Sequence, residues 1–431
     1  MLTLIGEMKQ GPEAYPALHE KFEKAKESLL RETKNYRLDA PYEVASYNSR
    51  LLLEERVWFL EDYVREMEGE FAERDPLTME ECAQVAEEAF TGRHKVEALC
   101  MGNINEEEAR EACQIVEDHF FSQEISRPLL ESEIPRFRSI QLPTREDAKH
   151  IFGSDVVAED GNRSVPIVYQ ELAYTESEEN NAVEYIIQTG SELQLEYNGL
   201  AILELLSHIS YNSAYNRLRT IEQLGYIVST FTRKTTGGGW GLSIVVQSSV
   251  APPEVLEERI EAWIVAFRKE LDEIDPEALA MEAAAIVSQL KERNTKLSQE
   301  VGTFWGEIVN TETYSNQLRE PSFDRLDRLA DELVLDVPNG KSSSNNEKTL
   351  NGNDRMTPEV LKQRVLDFMD HHLAADSPSR RAMSARVYNQ KNKDQYDANL
   401  GRPGILSSFE DIRHVKQFLA SQPLAPYWRS R

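Results

Sequence analysis

The sequence is short of three things, and each shortage narrows the reading. It has three cysteines, Cys82, Cys100 and Cys113. That number is too small and too odd for a disulfide framework, and it suits a reducing compartment. It has no apolar run near the ~18–20 residues that a membrane-spanning helix needs. The opening MLTLIGEMKQG lacks the basic lead and long apolar stretch of a secretory signal, so secretion is not expected and the formal triplet Asn162-Arg163-Ser164 is not expected to be glycosylated. Positive charge is scarce as well: 48 Lys and Arg face 75 Asp and Glu, a formal net charge of −27. Nucleic acids and anionic membranes reward positive surface, so neither is expected as a partner. The acidic surplus reads first as a solvated surface, and it would also attract basic peptides. A cytoplasmic location is the default expectation.

Motifs for catalysis are also missing. The eight histidines are His19, His94, His119, His150, His208, His371, His372 and His414, and no pair has the spacing H-x-x-E-H or H-E-x-x-H. A peptidase zinc of this kind needs two imidazoles one helical turn apart, a third ligand and a nearby carboxylate. His371 and His372 are adjacent, so on a helix they point about 100° apart and read as a solvated helix end. His119, after Glu117 and Asp118, reads as surface. The glycines of Gly237 to Trp240 do not lead from a strand into a helix, so they suit a hairpin turn rather than a phosphate cradle. No G-x-S-x-G elbow is present, and Trp263 with Phe267 reads as a core stripe.

What is present is enough for two to three domains: 431 residues, 40% of them hydrophobic. Residues 1 to about 90 read as helices. Leu18, Phe22, Ala25 and Leu29 step at helical spacing, and so do Leu53, Val57, Leu60, Val64 and Met67. Thr78 and Glu81 form a capping box, and Asn105 caps a helix carrying Ala109, Cys113 and Val116. Val96 to Met101 reads as the first strand. A polar linker follows at 123–137. Strands are then expected at Ser139–Leu142, Ser164–Tyr174, Asn181–Gln188, Tyr226–Arg233 and Trp240–Ser248, with Met383–Tyr388 as a returning edge strand. Helices are expected around Ile202–Ile209, from Pro253, from Pro276, over Ser298–Thr311 and from Pro358. Residues 338–355 read as a flexible insertion, and the tail from Asn389 as irregular. The fold class is therefore α+β, an antiparallel sheet packed against helices.

The most informative stretch is YNSAYNRLRTIEQLGYIVST, Tyr211 to Thr230. Ala214, Leu218 and Ile221 recur at helical spacing, Gly225 stands where a left-handed helix end is wanted, and Tyr226 opens a strand. Arg219 and Tyr226 can meet near the corner and offer two hydrogen-bond donors to a chain of carbonyl oxygens. The competing reading pairs Arg219 with Glu222 on an exposed helix face and leaves Tyr226 as a half-buried strand residue.

The run RLRTIEQLGYIV resembles the signature in the C-terminal half of the insulysin/pitrilysin family, the zinc peptidases with an inverted H-x-x-E-H motif. HKVEALCMGNIN from His94, GWGLSIVVQS from Gly239 and KLSQEVGTFWGEI from Lys296 resemble it too, in the same order. The resemblance implies that residues 1–137 are a partial, mostly helical third domain, incomplete at its N-terminus. It implies that 138–431 are the fourth domain. Both would be catalytically silent, with no cofactor on this chain. The family's zinc belongs to an N-terminal half carrying H-x-x-E-H, which would be this chain's partner, together with a peptide substrate. By position, Arg219 and Tyr226 would bind the peptide backbone near the scissile bond, with Tyr215 lining a side-chain pocket and Asn216 beside it. Homodimerisation through this half is a further expectation of the resemblance. A catalytically silent scaffold or peptide-binding fragment of the same fold is the alternative.

Overall fold

The computed structural model describes residues 2–69, 75–118, 127–130, 133, 137–153, 165–313, 323–335 and 356–421. The insertion expected at 338–355, the triplet 162–164, His119 and most of the 123–137 linker lie outside the described residues. Contacts gather the chain into two units. One holds Met1–Asp39, Val57–Arg136 and Asn294–Val309; the other holds Ala40–Arg56, Phe137–Arg293 and Asn310–Arg431. A single cut at residue 137 differs from this partition in two places. The segment 40–56 carries a helix that lies on the sheet of the second unit, and the segment from Asn294 brings Leu297 against Gly102 of the first.

The first unit is mainly helical, with helices over Pro16–Asn35, Leu60–Glu68, Met79–Thr91 and Glu106–Glu117. Its caps follow from local chemistry. Thr78 Oγ1 accepts the Glu81 N–H at 3.2 Å and the Glu81 carboxylate accepts the Thr78 N–H at 3.0 Å, so two otherwise unpaired donors are satisfied. Asn105 and Glu108 do the same one helix later. The strand expected at Val96–Met101 does not form. Pairing in this unit falls instead on Arg93–His94 and Arg127–Pro128, which run parallel. Among the described residues no ladder reaches 96–101, and a strand-forming sequence without a neighbour gains no backbone bonds.

A six-stranded sheet organises the second unit. Its strands are β1 (Ile167–Leu172), β2 (Asn181–Ser191), β3 (Ile227–Thr235), β4 (Gly239–Ser248), β5 (Arg381–Tyr388) and β6 (Ile405–Leu406), in the spatial order β3-β4-β2-β5-β1-β6. The sheet against helices is as expected, and β3, β4, β2 and β5 pair antiparallel. Beyond β5 the sheet turns parallel: β1 runs alongside β5 and β6 in the same direction. The cause is β5, which inserts between β1 and β2. Its antiparallel pairing with β2 leaves it parallel to β1.

The expectation of an edge strand at Met383–Tyr388 is thus corrected to an inner one, with every residue from Ala382 to Tyr388 buried. Arg386 disguises it. The guanidinium makes a two-pronged pair with Glu257, 2.6 Å on each prong, while Tyr388 donates to Glu254 at 2.6 Å. Burial works against the charged guanidinium, but Glu257 beside it prevails and holds Arg386 firmly protonated.

Helices cover both faces. α1 (Pro41–Leu53) lies against β2, β4 and β5. Ser49, Ser243 and Arg233 surround the fully buried Glu184 there, with the two hydroxyls donating at 2.5 and 2.6 Å. On the other face Val183, Tyr185 and Ile187 of β2 meet Leu242, Ile244 and Val246 of β4. They pack under α2 (Glu192–Ala214), α3 (Pro253–Glu273), α4 (Pro276–Leu290) and α5 (Pro358–Phe368). The expected core stripe is here: Trp263 and Phe267 of α3 are buried with rings stacked at 5.4 Å, each worth about 1.5–3 kcal/mol of burial. The tail is more regular than expected. It forms a helix over Lys393–Asn399, then β6 and α6 (Phe409–Lys416), whose Ile412 and Val415 are buried. Leu419 is buried beyond it, whereas Phe418 is exposed.

Replacing Glu257 by Ala leaves a buried guanidinium without its counter-charge, and should cost about 3–5 kcal/mol in urea unfolding. The double replacement Glu257→Leu with Arg386→Met should recover most of that loss, because both desolvated charges go together. Equal destabilisation by the single and double variants would mean that the pair is not what holds β5 to α3.

Candidate functional site

The candidate site is built by the segment that joins α2 to β3. Ser191 caps α2 through the Gln194 N–H at 3.3 Å, and the helix runs to Ala214. From Tyr215 to Ile221 the helix continues in the wide π form. The wider turn explains a departure from the simple helical pattern. Ala214 and Leu218 are buried as expected, but Ile221 is 61% exposed, and Leu224 takes the next inward place. Bonds from Glu222 N–H to Arg217 and from Leu224 N–H to Leu218, both 3.0 Å, close the end of the turn.

The corner itself also differs from expectation. Gln223, not Gly225, takes the left-handed conformation, with φ of 53°. Gly225 is required for a different reason: a Cβ there would overlap the carbonyl oxygen of Gln247 on β4. The corner is pressed directly onto the neighbouring strand, and only hydrogen fits between them.

This geometry brings Tyr215, Arg219 and Tyr226 together. The Arg219 guanidinium carbon lies 4.6 Å from the Tyr215 ring centre and 4.5 Å from that of Tyr226. Arg219 also donates to the Tyr215 hydroxyl. The rings of Tyr211 and Tyr215 stack at 6.1 Å, extending the row by one residue. Tyr226 is 82% exposed, so its ring is held at the surface chiefly by the cation beside it, an attraction of about 0.5–1 kcal/mol at an exposed site. Asn216 is exposed and does not join the three.

The pairing of Arg219 with Glu222 does not occur. Glu222 is taken by Arg217 at 2.6 Å and by Arg259 of α3 at 2.6 and 2.7 Å. The Arg259 hydrogen bonds, more than any other cause, hold the Glu222 carboxyl below its usual range. Trp263 of α3 adds a bond from its indole N–H to Ser213 Oγ at 3.0 Å. α3 therefore braces the end of α2 while Arg219 is left to the two tyrosines. Sequence reasoning misses Tyr211 and Arg259. The first has a signal, since Tyr211 and Tyr215 are one turn apart; the second lies 37 residues from its partner and has none.

Among the described residues no group of three or more His, Cys, Asp or Glu side chains could hold a metal ion, so these residues do not fit a zinc site. His371 and His372 meet edge to face at 4.5 Å, and burial first, then His371, pushes His372 down to about 4. His372 is thus half-buried, while His371 beside it is exposed, as expected of a solvated helix end. Among the described residues no helix is long and apolar enough to cross a membrane.

The chain is similar to several known proteins. Over 415 residues the chain is 28% identical to the insulin-degrading enzyme of Homo sapiens, which covers 94% of this chain and 34% of that protein. It is 24% identical over 409 residues to "Insulin-degrading enzyme-like 1, peroxisomal" of Arabidopsis thaliana, covering 94% of this chain and 35% of that one. The chain thus spans about a third of the length of these curated relatives. Residues 205–305 match the family model described as PQQ synthase PqqF-like, C-terminal lobe domain 4. The crystal structure of pitrilysin superimposes with a TM-score of 0.67 at 18% identity, over 96% of this chain and 37% of that one. The chain is homologous to insulysin-like M16 peptidases and shares the pitrilysin fold.

Two measurements test the site's construction. Gly225→Ala should cost about 3 kcal/mol or more in chemical unfolding, because the added methyl group meets the backbone of β4; a neutral result would show that the corner is free to lift off that strand. Glu222 has a folded pKa below its unfolded value. Its contribution is fully present above the unfolded carboxyl range, near ~4.3, and is lost as pH falls through the lower folded value. Wild type and Glu222→Gln should therefore differ in stability at neutral pH and converge at the acid end. A difference that persists unchanged to low pH would remove the ionic account.

Proposed function

We propose that this chain is the non-catalytic part of an insulysin-like zinc metalloendopeptidase, binding the backbone of a peptide substrate near the scissile bond and forming part of the chamber wall. The observation that carries the reading is the placement of Arg219 between Tyr215 and Tyr226. Aromatic rings flank the guanidinium and the Tyr215 hydroxyl accepts from one of its N–H groups, so it is held in place while its other N–H groups stay available to carbonyl oxygens. The Tyr226 hydroxyl, on an exposed ring, offers a second donor. Two donors at one corner orient an extended chain and stabilise charge that develops on a carbonyl oxygen. Tyr215 would line the pocket of a substrate side chain, and Asn216 would contribute from its exposed place beside it.

Catalysis itself would belong to a partner. An N-terminal half carrying H-x-x-E-H would bring the zinc, and no step of the hydrolysis is assigned to residues of this chain. A cytoplasmic location and pairing into a homodimer complete the proposal.

The test combines this chain with the H-x-x-E-H half of a relative in zinc-containing buffer and follows cleavage of a fluorogenic peptide. Activity is expected only in the mixture. Arg219→Ala and Tyr226→Phe should each lower kcat/KM, by roughly a hundredfold for the arginine. Demonstrated association of the halves without activity would favour a silent scaffold, and activity of the chain alone would overturn the assignment.

A further inference from the structure

Beside the corner lies a second feature that the backbone-binding role does not use. An open groove of about 520 Å³ runs between α2 and β3, lined by Glu204, Ser207, His208 and Tyr211 on the helix and by Thr230 and Thr232 on the strand. The helix residues fall at i, i+3, i+4 and i+7, one face of α2. Among the described residues β3 pairs only with β4, so the groove follows an edge of the sheet. It is continuous with the corner, because Tyr211 lines the groove and stacks on Tyr215, which in turn carries Arg219.

The chemistry of the groove is acidic. Glu204 is half-buried and accepts one hydrogen bond, from Thr232 Oγ1 at 3.0 Å. Among the described residues it has no ion pair. The two cations that act on it have partners of their own: Lys234 lies 5.1 Å over the Trp240 ring, and Arg325 pairs with Glu192. Burial raises the Glu204 carboxyl above its usual range, and Thr232, Lys234 and Arg325 only partly offset it. A carboxylate so placed gains from a cation that arrives from outside and replaces its lost water. His208 faces a second acid, Glu282, at 3.2 Å. Tyr211, 44% exposed, offers an aromatic wall for the methylenes of a long side chain.

We propose that the groove is a subsite for a lysine or arginine side chain of the bound peptide, with Glu204 as the residue that selects the positive charge. The occupant is argued from charge complementarity: a half-buried, unpaired carboxylate, an aromatic wall, and a chain whose net charge of −27 favours cationic ligands. Arg219 and Tyr226 would hold the peptide backbone without regard to sequence, and Glu204 would read one side chain. This inference rests on the peptide-binding reading of the corner.

The test uses the full chain and two fluorescein-labelled peptides that differ only in one lysine replaced by norleucine, with binding followed by anisotropy. The lysine peptide should bind about tenfold more tightly. Glu204→Gln should abolish that ratio. Asn212→Lys changes an exposed residue that lines the groove and places a competing cation there. It should reduce the ratio even if Glu204→Gln fails to fold. Arg219→Ala should weaken both peptides alike. Equal binding of the two peptides, with Arg219→Ala still harmful, would overturn the subsite and leave the corner standing. No saturable binding of either peptide, or binding indifferent to Arg219→Ala, would overturn the corner reading and the subsite with it.

Discussion

The contact on which the site depends is the one between Gly225 and the carbonyl oxygen of Gln247. It leaves room for a hydrogen atom and for nothing larger. Because the corner sits on β4 at that point, β3 leaves it in register with β4, Ile227 opposite Gln247. The end of α2 is thereby fixed against the strand, and Arg219 is delivered between two rings that are eleven residues apart in sequence. Arg259 and Trp263 brace the same helix end from α3. Tyr215, Arg219 and Tyr226 are thus held by neighbours that lie outside the proposed binding corner. A site has to be built this way if its donors are to lose little freedom when the ligand arrives.

Much of this is legible in the amino-acid order alone. The helix, corner and strand of 211–235 follow from spacing, which lets Arg219 and Tyr226 meet but equally allows Arg219 to pair with Glu222. What the order does not reveal is why they meet. Gly225 suggests a left-handed helix end, yet Gln223 carries that conformation, because a glycine needed for close approach has the same letter as one needed for its dihedral angles. Ile221 matches the helical period and is nevertheless exposed, since a π turn changes the phase without leaving a mark in composition. The strand Arg381–Tyr388 looks peripheral because it carries a charge, and the acid that neutralises that charge lies on α3, 129 residues earlier. The strand and the glycine are decided by partners distant in sequence, which local pattern does not report.

The division of labour in the second unit is physical. One face of the sheet packs an apolar core under α2 to α5, with the Arg386–Glu257 ion pair buried in it. The other holds the buried Glu184 in a cage of hydroxyls and Arg233 under α1. Among the described residues helices cover both faces. What remains accessible is the edge, where β3, the end of α2 and the corner lie side by side. In the proposed role that edge offers donors from Arg219 and Tyr226 and an acceptor from Glu204, a combination suited to gripping a peptide.

The position of β5 has a consequence for how the chain reaches this state. β1 and β2 are separated in sequence by a short connection, yet they do not pair with each other; the strand between them is the segment Arg381–Tyr388. During synthesis the first strands must therefore wait for about two hundred further residues, an interval of roughly ten to forty seconds at ordinary translation rates. Until then β1 and β2 each present an unpaired edge, and the buried half of Arg386's ion pair, Glu257, stands without its partner. An exposed edge of this kind pairs readily with other chains. The vulnerable moment of this protein lies before β5 arrives, and that strand, rather than the arginine–tyrosine corner, decides whether the sheet closes on itself.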